Sequence, residues 1–370
     1  MLHRKWFVTF SIFFLLFILQ FFFLCNHKKA ASEDPDDSLV KLGRYLFFDR
    51  RLSVNDTRSC GTCHNPQFGF TDGYKRSLGA FADLHQRNTQ PVFNLGAFKY
   101  LTSADSSIHF AVTQMDRPLF NDAPAEMGVN GNEEKILIKI RTDSLYKKLF
   151  TMAFPGEAVP IIWATIKNAI SRFMYTIKSD NAPYDKFIKG DTNALTPAQK
   201  NGMQLFFSKK LNCATCHGGY NFSTPSMLNS KGDTLFYFNT GLYNTDGKGS
   251  YPEYDQGLYE QTKQISDMGA FRVPTLRNLA FTAPYFHDGS ARSLEEAIAV
   301  FEQGGRKITT GIYKGDGTAN PYKHLLISGF SITPVEKNNL LLFLTSLTDS
   351  SMITNPAYLN PFTEDETKKK

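Results

Sequence analysis

Cys60-Gly61-Thr62-Cys63-His64 and Cys213-Ala214-Thr215-Cys216-His217 are two copies of one five-residue pattern, and they decide how the rest of the chain is read. Each is the signature of a covalent c-type haem. Two thiols form thioethers with the haem vinyl groups, and the histidine that follows puts an imidazole beneath the iron, which makes His64 and His217 the expected iron ligands. Four of the five cysteines are used in this way. The pattern has competitors: a disulfide within each pair, a thioredoxin-like redox pair, or one zinc ion shared by both pairs. A redox CxxC opens a helix in a βαβ context, and a zinc ribbon separates its halves by about 15–20 residues, whereas the gap here is far longer.

At 370 residues the chain is long enough for two domains and a substantial core. Residues 1–25 are different in kind: Arg4 and Lys5 precede an almost unbroken run of Phe, Leu and Ile, and a polar stretch follows from Asn26. That order matches a secretory signal, and the run is also nearly long enough to span a bilayer. Cys25 ends the run; a lipidated cysteine and an uncleaved helical anchor both remain open, and both leave the globular part exported and tethered by its N-terminus. The net charge of +6 falls to +4 without Arg4 and Lys5, and two haems bring roughly four propionate charges of opposite sign, so the composition gives no reason to expect a nucleic-acid partner.

The organisation expected outside the leader is a tether over 26–37, a first haem domain over 38–178, a crossing over 179–195 rich in Asp, Asn, Gly, Lys and Pro, a second haem domain over 196–350, and a polar tail over 351–370. Helical spacing of apolar residues predicts helices over 38–48, 133–150 and 159–177. Thr196-Pro197-Ala198-Gln199 reads as a cap and first turn, helices are expected from Ser293 to about Phe301 and over 333–347, and 229–255 reads as long loops. Both halves thus run helix, haem motif, loops, helices. The expected fold is mainly α, with two cytochrome c-like domains, one covalent haem in each, and little sheet.

Several further stretches resemble the bacterial di-haem cytochrome c peroxidases and the related MauG-like di-haem enzymes. They are Leu46-Phe47-Phe48-Asp49, Arg87-Asn88-Thr89, Ala125-Glu126-Met127-Gly128, Phe271-Arg272-Val273-Pro274-Thr275-Leu276-Arg277-Asn278 and Ala283-Pro284-Tyr285-Phe286-His287-Asp288-Gly289, together with the two haem motifs. The resemblance implies a peroxidatic first haem fed with electrons by the second. It implies that Glu126 is the acid-base group of peroxide cleavage, with Gln114 and Pro118 on the same distal loop, and that Asn88, Thr282 and Pro284 hold a calcium ion through neutral oxygens. It also implies hydrogen peroxide as substrate, a small cytochrome c or cupredoxin as electron donor, and a homodimer as one form of the protein.

Three positions depart from the family pattern. Ala80 stands where many members carry a histidine that blocks the peroxidatic iron, which leaves that iron open, with His85 five residues on as the alternative ligand. Phe301 stands where the second haem usually finds a Met or Tyr, and phenylalanine binds no iron; Met268 and His324 are the substitutes within the chain. No tryptophan falls in the stretch expected between the haems, where Phe98 and Tyr100 are the available rings. The functions in competition are a peroxidase, a MauG-like oxidase of a protein or small molecule, and a non-enzymatic electron carrier.

Overall fold

The computed structural model describes residues 35–227, 232 and 235–362; the expected leader and most of the tether lie outside the described residues. Among the described residues no helix is long and apolar enough to cross a membrane. The described residues are mainly helical, and their sheet is confined to two short antiparallel ribbons. One pairs Tyr237–Asn239 with Ala270–Arg272, and the other pairs Lys307–Ile308 with Gly315–Asp316.

One helix-on-helix arrangement occurs twice. In the first half the helix Pro35–Phe48 crosses Trp163–Thr176, and in the second Pro197–Phe206 crosses Pro334–Thr345. Both crossings are too close for any side chain at the contact. A methyl on Gly43 would sit 1.9 Å from the Ala169 carbonyl oxygen, and one on Gly202 would sit 1.9 Å from that of Asn339. The rings that fill the space beside each crossing also correspond: Phe47 meets Phe173 at 5.3 Å between centroids, and Phe206 meets Phe343 at 5.2 Å. Edge-to-face and tilted ring contacts of this kind anchor each apolar core.

Local chemistry explains most of the helix limits. Thr196 and Thr333 each cap a helix whose first residue is proline, and each exchanges hydrogen bonds with the Gln or Glu three residues on. Ser293 accepts from the Glu296 amide and opens Leu294–Glu302. Two expected spans are corrected. The stretch 133–150 is two helices, Glu133–Thr142 and Ser144–Ala153, because the Asp143 carboxylate caps the second by accepting from the Leu145 amide. The span 159–177 is helical only over Trp163–Thr176, so Pro160 lies before the helix.

The crossing contains a helix, Pro183–Ile188, and is packed on both sides. Asn94 of the first half and Asn278 of the second both adopt left-handed backbone and both bond Ser179, through the Ser179 carbonyl and hydroxyl respectively. The buried Arg277 guanidinium forks onto both oxygens of Asp185 at 2.9 and 2.8 Å. The expected polar tail is also corrected over 351–362. After the helix Ser350–Thr354 the chain returns to the first half, where Met352 is buried in its core, Tyr358 Oη donates to the Thr176 carbonyl and Arg44 Nε donates to that of Leu359. Met352, Ile353 and Tyr358 supply the apolar surface that a solvated tail lacks.

Candidate haem and peroxide site

Each CxxC forms a single helical turn, Cys60–Cys63 and Cys213–Cys216, and the histidine follows as its cap. His64 and His217 donate their backbone N–H to the carbonyl of the first cysteine, at 2.8 Å in both cases. Each ring is then fixed from the other side: His64 Nδ1–H donates to the Phe70 carbonyl at 3.1 Å, and His217 Nδ1–H to that of Phe222 at 2.9 Å. Phe70 and Phe222 take positive φ, 63° and 52°, which turns their carbonyls toward the imidazoles. Nδ1 is therefore occupied and Nε2 is the nitrogen left for a metal, which is the tautomer a haem histidine requires.

No disulfide joins Cys60 to Cys63 or Cys213 to Cys216. Burial pushes Cys60 and Cys213 up to about 12 and Cys63 and Cys216 up to about 11, so all four are neutral at physiological pH. Reactive redox pairs need the opposite shift. Paired neutral thiols beside an imidazole with a free Nε2 fit two covalent haems.

Glu126 is held by its backbone. The Ala80 amide donates to the Glu126 carbonyl at 2.9 Å, Ala125 N–H donates to Asp83 Oδ2, and Met127 N–H donates to the Pro118 carbonyl. Gln114 ends the short helix one turn before Pro118, so the sequence-predicted distal residues share one paired segment. A third of the Glu126 side chain is open, yet the protein packed around it pushes the carboxyl up to about 7, with only the Arg117 guanidinium opposing. His85 Nδ1 lies 3.9 Å from Glu126 Oε1, and its Nε2 is buried with no partner among the described residues. Burial holds His85 below the ordinary imidazole range, and the ring is close enough to His64 to feel its charge.

Ala80 thus contributes backbone, not a ligand. The contact between His85 and Glu126, separated by a long stretch of chain, is invisible to sequence reading. Asn88 donates its backbone N–H to the His287 carbonyl, which brings it to the segment carrying Thr282 and Pro284, and its side-chain amide donates to the Tyr74 carbonyl. His287 is itself buried there, stacked on Phe271 at 3.6 Å and 3.7 Å from Asp255 Oδ2.

In the second half the Phe301 ring lies 6.0 Å from that of Phe286. Met268 is buried in an apolar cluster with Tyr243, Tyr251 and Val300. His324 Nδ1 accepts the Leu326 amide at 3.3 Å, which leaves the proton on Nε2, the reverse of His64 and His217. Of the rings considered for the space between the halves, Phe98 lies under Arg272, and Tyr100 packs on Phe236 and Tyr237.

Fold and site together define a mainly helical protein with two c-type haem motifs and a partly buried carboxyl beside one of them. Residues 37–193 match the family described as di-haem cytochrome c peroxidase. The chain is 31% identical over 330 residues to cytochrome-c peroxidase IdrP1 of Pseudomonas sp. strain SCT, covering 84% of this chain and 81% of that protein. It is 31% identical over 334 residues to the methylamine utilization protein MauG of Methylorubrum extorquens, covering 89% and 83%. Among solved structures, a MauG-like protein associated with microbial copper homeostasis superposes with a TM-score of 0.85 at 40% identity, covering 88% of this chain and 94% of that one. The diheme peroxidase BthA of Burkholderia thailandensis shares the fold, with a TM-score of 0.63 at 20% identity over 87% and 90%. The chain belongs to the di-haem cytochrome c peroxidase family.

Proposed function

We propose that the protein reduces hydrogen peroxide to water with electrons from a small cytochrome c or cupredoxin. Two c-type haems are held by Cys60, Cys63 and His64 in a domain over 38–178 and by Cys213, Cys216 and His217 in a domain over 196–350. Haem iron supplies the coordination position and the electrons for cleavage of the oxygen–oxygen bond. The chain's own part is proton transfer: one peroxide takes two electrons and two protons and leaves as two waters. Glu126 accepts the proton from the inner peroxide oxygen and returns it to the outer one, which departs as water.

The observation that carries this reading is the Glu126 carboxyl, raised to about 7 beside the first haem motif. At that value it exchanges a proton in either direction near neutrality, and an electron carrier has no use for it. Gln114 and Pro118 belong to the same loop and line the distal side. His85, with its buried and partnerless Nε2, is the residue of this loop suited to bind the first iron in the resting protein, a role Ala80 cannot take. Asn88, Thr282 and Pro284 form the proposed calcium site. The leader directs export and tethers the protein outside the cytoplasm, and a homodimer is the proposed assembly.

The test is Glu126→Gln in the full chain, with haem content measured by mass spectrometry and turnover by peroxide consumption. Two haems with strongly reduced turnover support the assignment; two haems with unchanged turnover remove it. A second reading, oxidation of a protein or small molecule, draws on the 40% identity to the MauG-like protein. It requires peroxide consumption that continues without a reduced cytochrome or cupredoxin.

A further inference from the structure

Arg272 is a buried cation without an anion. Four other buried or half-buried arginines each meet a carboxylate: Arg277 meets Asp185, Arg87 meets Asp255, Arg51 meets Asp49, and Arg306 meets Asp288. Arg272 is 9% exposed and has none within ion-pair distance among the described residues. Its guanidinium donates only to neutral oxygens, the carbonyls of Thr102 and Val273 at 3.2 Å each and Gln90 Oε1 at 2.5 Å, and its face rests 4.6 Å from the centre of the Phe98 ring. A charge taken from water in this way costs several kcal/mol unless an opposite charge meets it. Burial alone pushes the group down to about 10.

The same spot gathers two more polar groups, the exposed Lys99 ammonium and the buried Ser223 hydroxyl. A small, open cleft is lined by Phe98, Lys99, Tyr100, Ser223, Thr224 and Arg272. Lys99 Nζ lies over the Tyr100 and Phe236 rings and has no carboxylate partner among the described residues. The Ser223 hydroxyl is buried with no hydrogen-bond partner among the described residues. The cleft is also tied to both haem histidines. Ser223 follows Phe222, whose carbonyl holds His217. Pro274, two residues after Arg272, has a carbonyl facing His217, and Gln90, gripped by Arg272, has one facing His64.

We propose that this cleft receives a propionate carboxylate of the haem attached at Cys213 and Cys216, paired with Arg272 and Lys99 and hydrogen-bonded by the Ser223 hydroxyl. The proposal rests on the di-haem reading above and adds to it a cofactor-binding set that the attachment motifs do not contain. A carboxylate supplies the missing charge, and its fixed attachment to a group held at His217 accounts for a cleft beside that histidine's backing loop. A cation held against the propionate favours the reduced haem, so Arg272 and Lys99 raise the potential of the second haem.

The test uses the haem-loaded full chain and an optical redox titration that resolves both haems. Arg272→Gln is expected to shift one midpoint potential downward and leave the other in place, Arg272→Lys to restore most of the shift, and Lys99→Gln to give a smaller fall of the same sign. Unchanged potentials in both Arg272→Gln and Lys99→Gln overturn the proposal. So does a wild-type potential that follows the concentration of added inorganic phosphate, which identifies a free anion in the cleft. If Arg272→Gln does not assemble, Lys99→Gln and Ser223→Ala decide on the same criterion. Failure of the di-haem reading is separate and visible beforehand, as a mass without two haem additions.

Discussion

In the first half Gly43 lets a helix pass against the Ala169 carbonyl and Phe70 turns its own carbonyl onto His64; in the second Gly202 passes Asn339 and Phe222 turns onto His217. Up to that point the halves are near copies. They part in what each adds beyond the imidazole. The first adds a loop that sets Glu126 beside His85. The second offers Phe301, an apolar cluster around Met268, and His324 in the wrong tautomer for a metal. The scaffold behind each CxxCH histidine repeats, and on the proposed function the unrepeated loops are what distinguish the haem that meets peroxide.

The comparison breaks most visibly at Glu126. Glu126→Gln is expected to keep both haems and slow peroxide turnover by roughly a hundredfold, the scale of a lost general acid-base group. In the wild type kcat/KM rises with pH through about 7, because the accepting form is the carboxylate, and that rise disappears in the variant. Stopped-flow or steady-state peroxide assays across pH read both effects.

His85 sharpens the contrast at the level of each iron. The oxidised wild type is expected to give a low-spin signal from the first-half haem, and His85→Ala converts that signal to high spin while the second-half haem keeps its own. Paramagnetic resonance of the two proteins distinguishes the outcomes. A wild-type signal that is already high spin at the first haem leaves the iron open, as Ala80 alone suggests.

The shared part of the scaffold makes the opposite prediction, that equivalent changes hurt equally. Gly43→Ala and Gly202→Ala each drive a methyl into a facing backbone carbonyl and are expected to cost about 1–3 kcal/mol each, measured by denaturant unfolding. Unequal losses show that one crossing relaxes where the other does not.

The smallest expected effect again concerns Glu126. Its folded-state value of about 7 lies above the ordinary 4.5, so between those values the folded protein keeps a proton that the unfolded chain has released. Stability therefore falls as pH rises from 4.5 through 7 and levels off above. Glu126→Gln removes this penalty. It is expected to gain about 1 kcal/mol near pH 8 and nothing near pH 4, a figure discounted because the side chain partly meets solvent. Thermal melts at the two pH values check it.

Features written locally were legible in the sequence. The haem motifs, the Thr196-Pro197 and Thr333-Pro334 starts and the Ser293 cap each lie within a few neighbouring residues. Asp143 was locally written too, as a cap-forming residue inside an unbroken apolar period, where the period masked it. Chain-distant meetings were not legible. His85 reaches Glu126, Arg272 reaches Gln90 and Thr102, and Met352 enters the first core only because the fold brings them there. The resemblance to a family supplied Glu126; nothing in its neighbours' periodicity marks it.

The return of residues 350–362 to the first half bears on the first haem motif. Tyr358 packs its ring against Phe70, the residue whose carbonyl steadies His64, and closes over the end of the helix at Thr176. A segment that follows the second half is thus a brace for the first haem motif. Without residues 350–362 the first half lacks this brace, so the firmness with which Phe70 backs His64 is linked to a stretch of chain nearly three hundred residues further on.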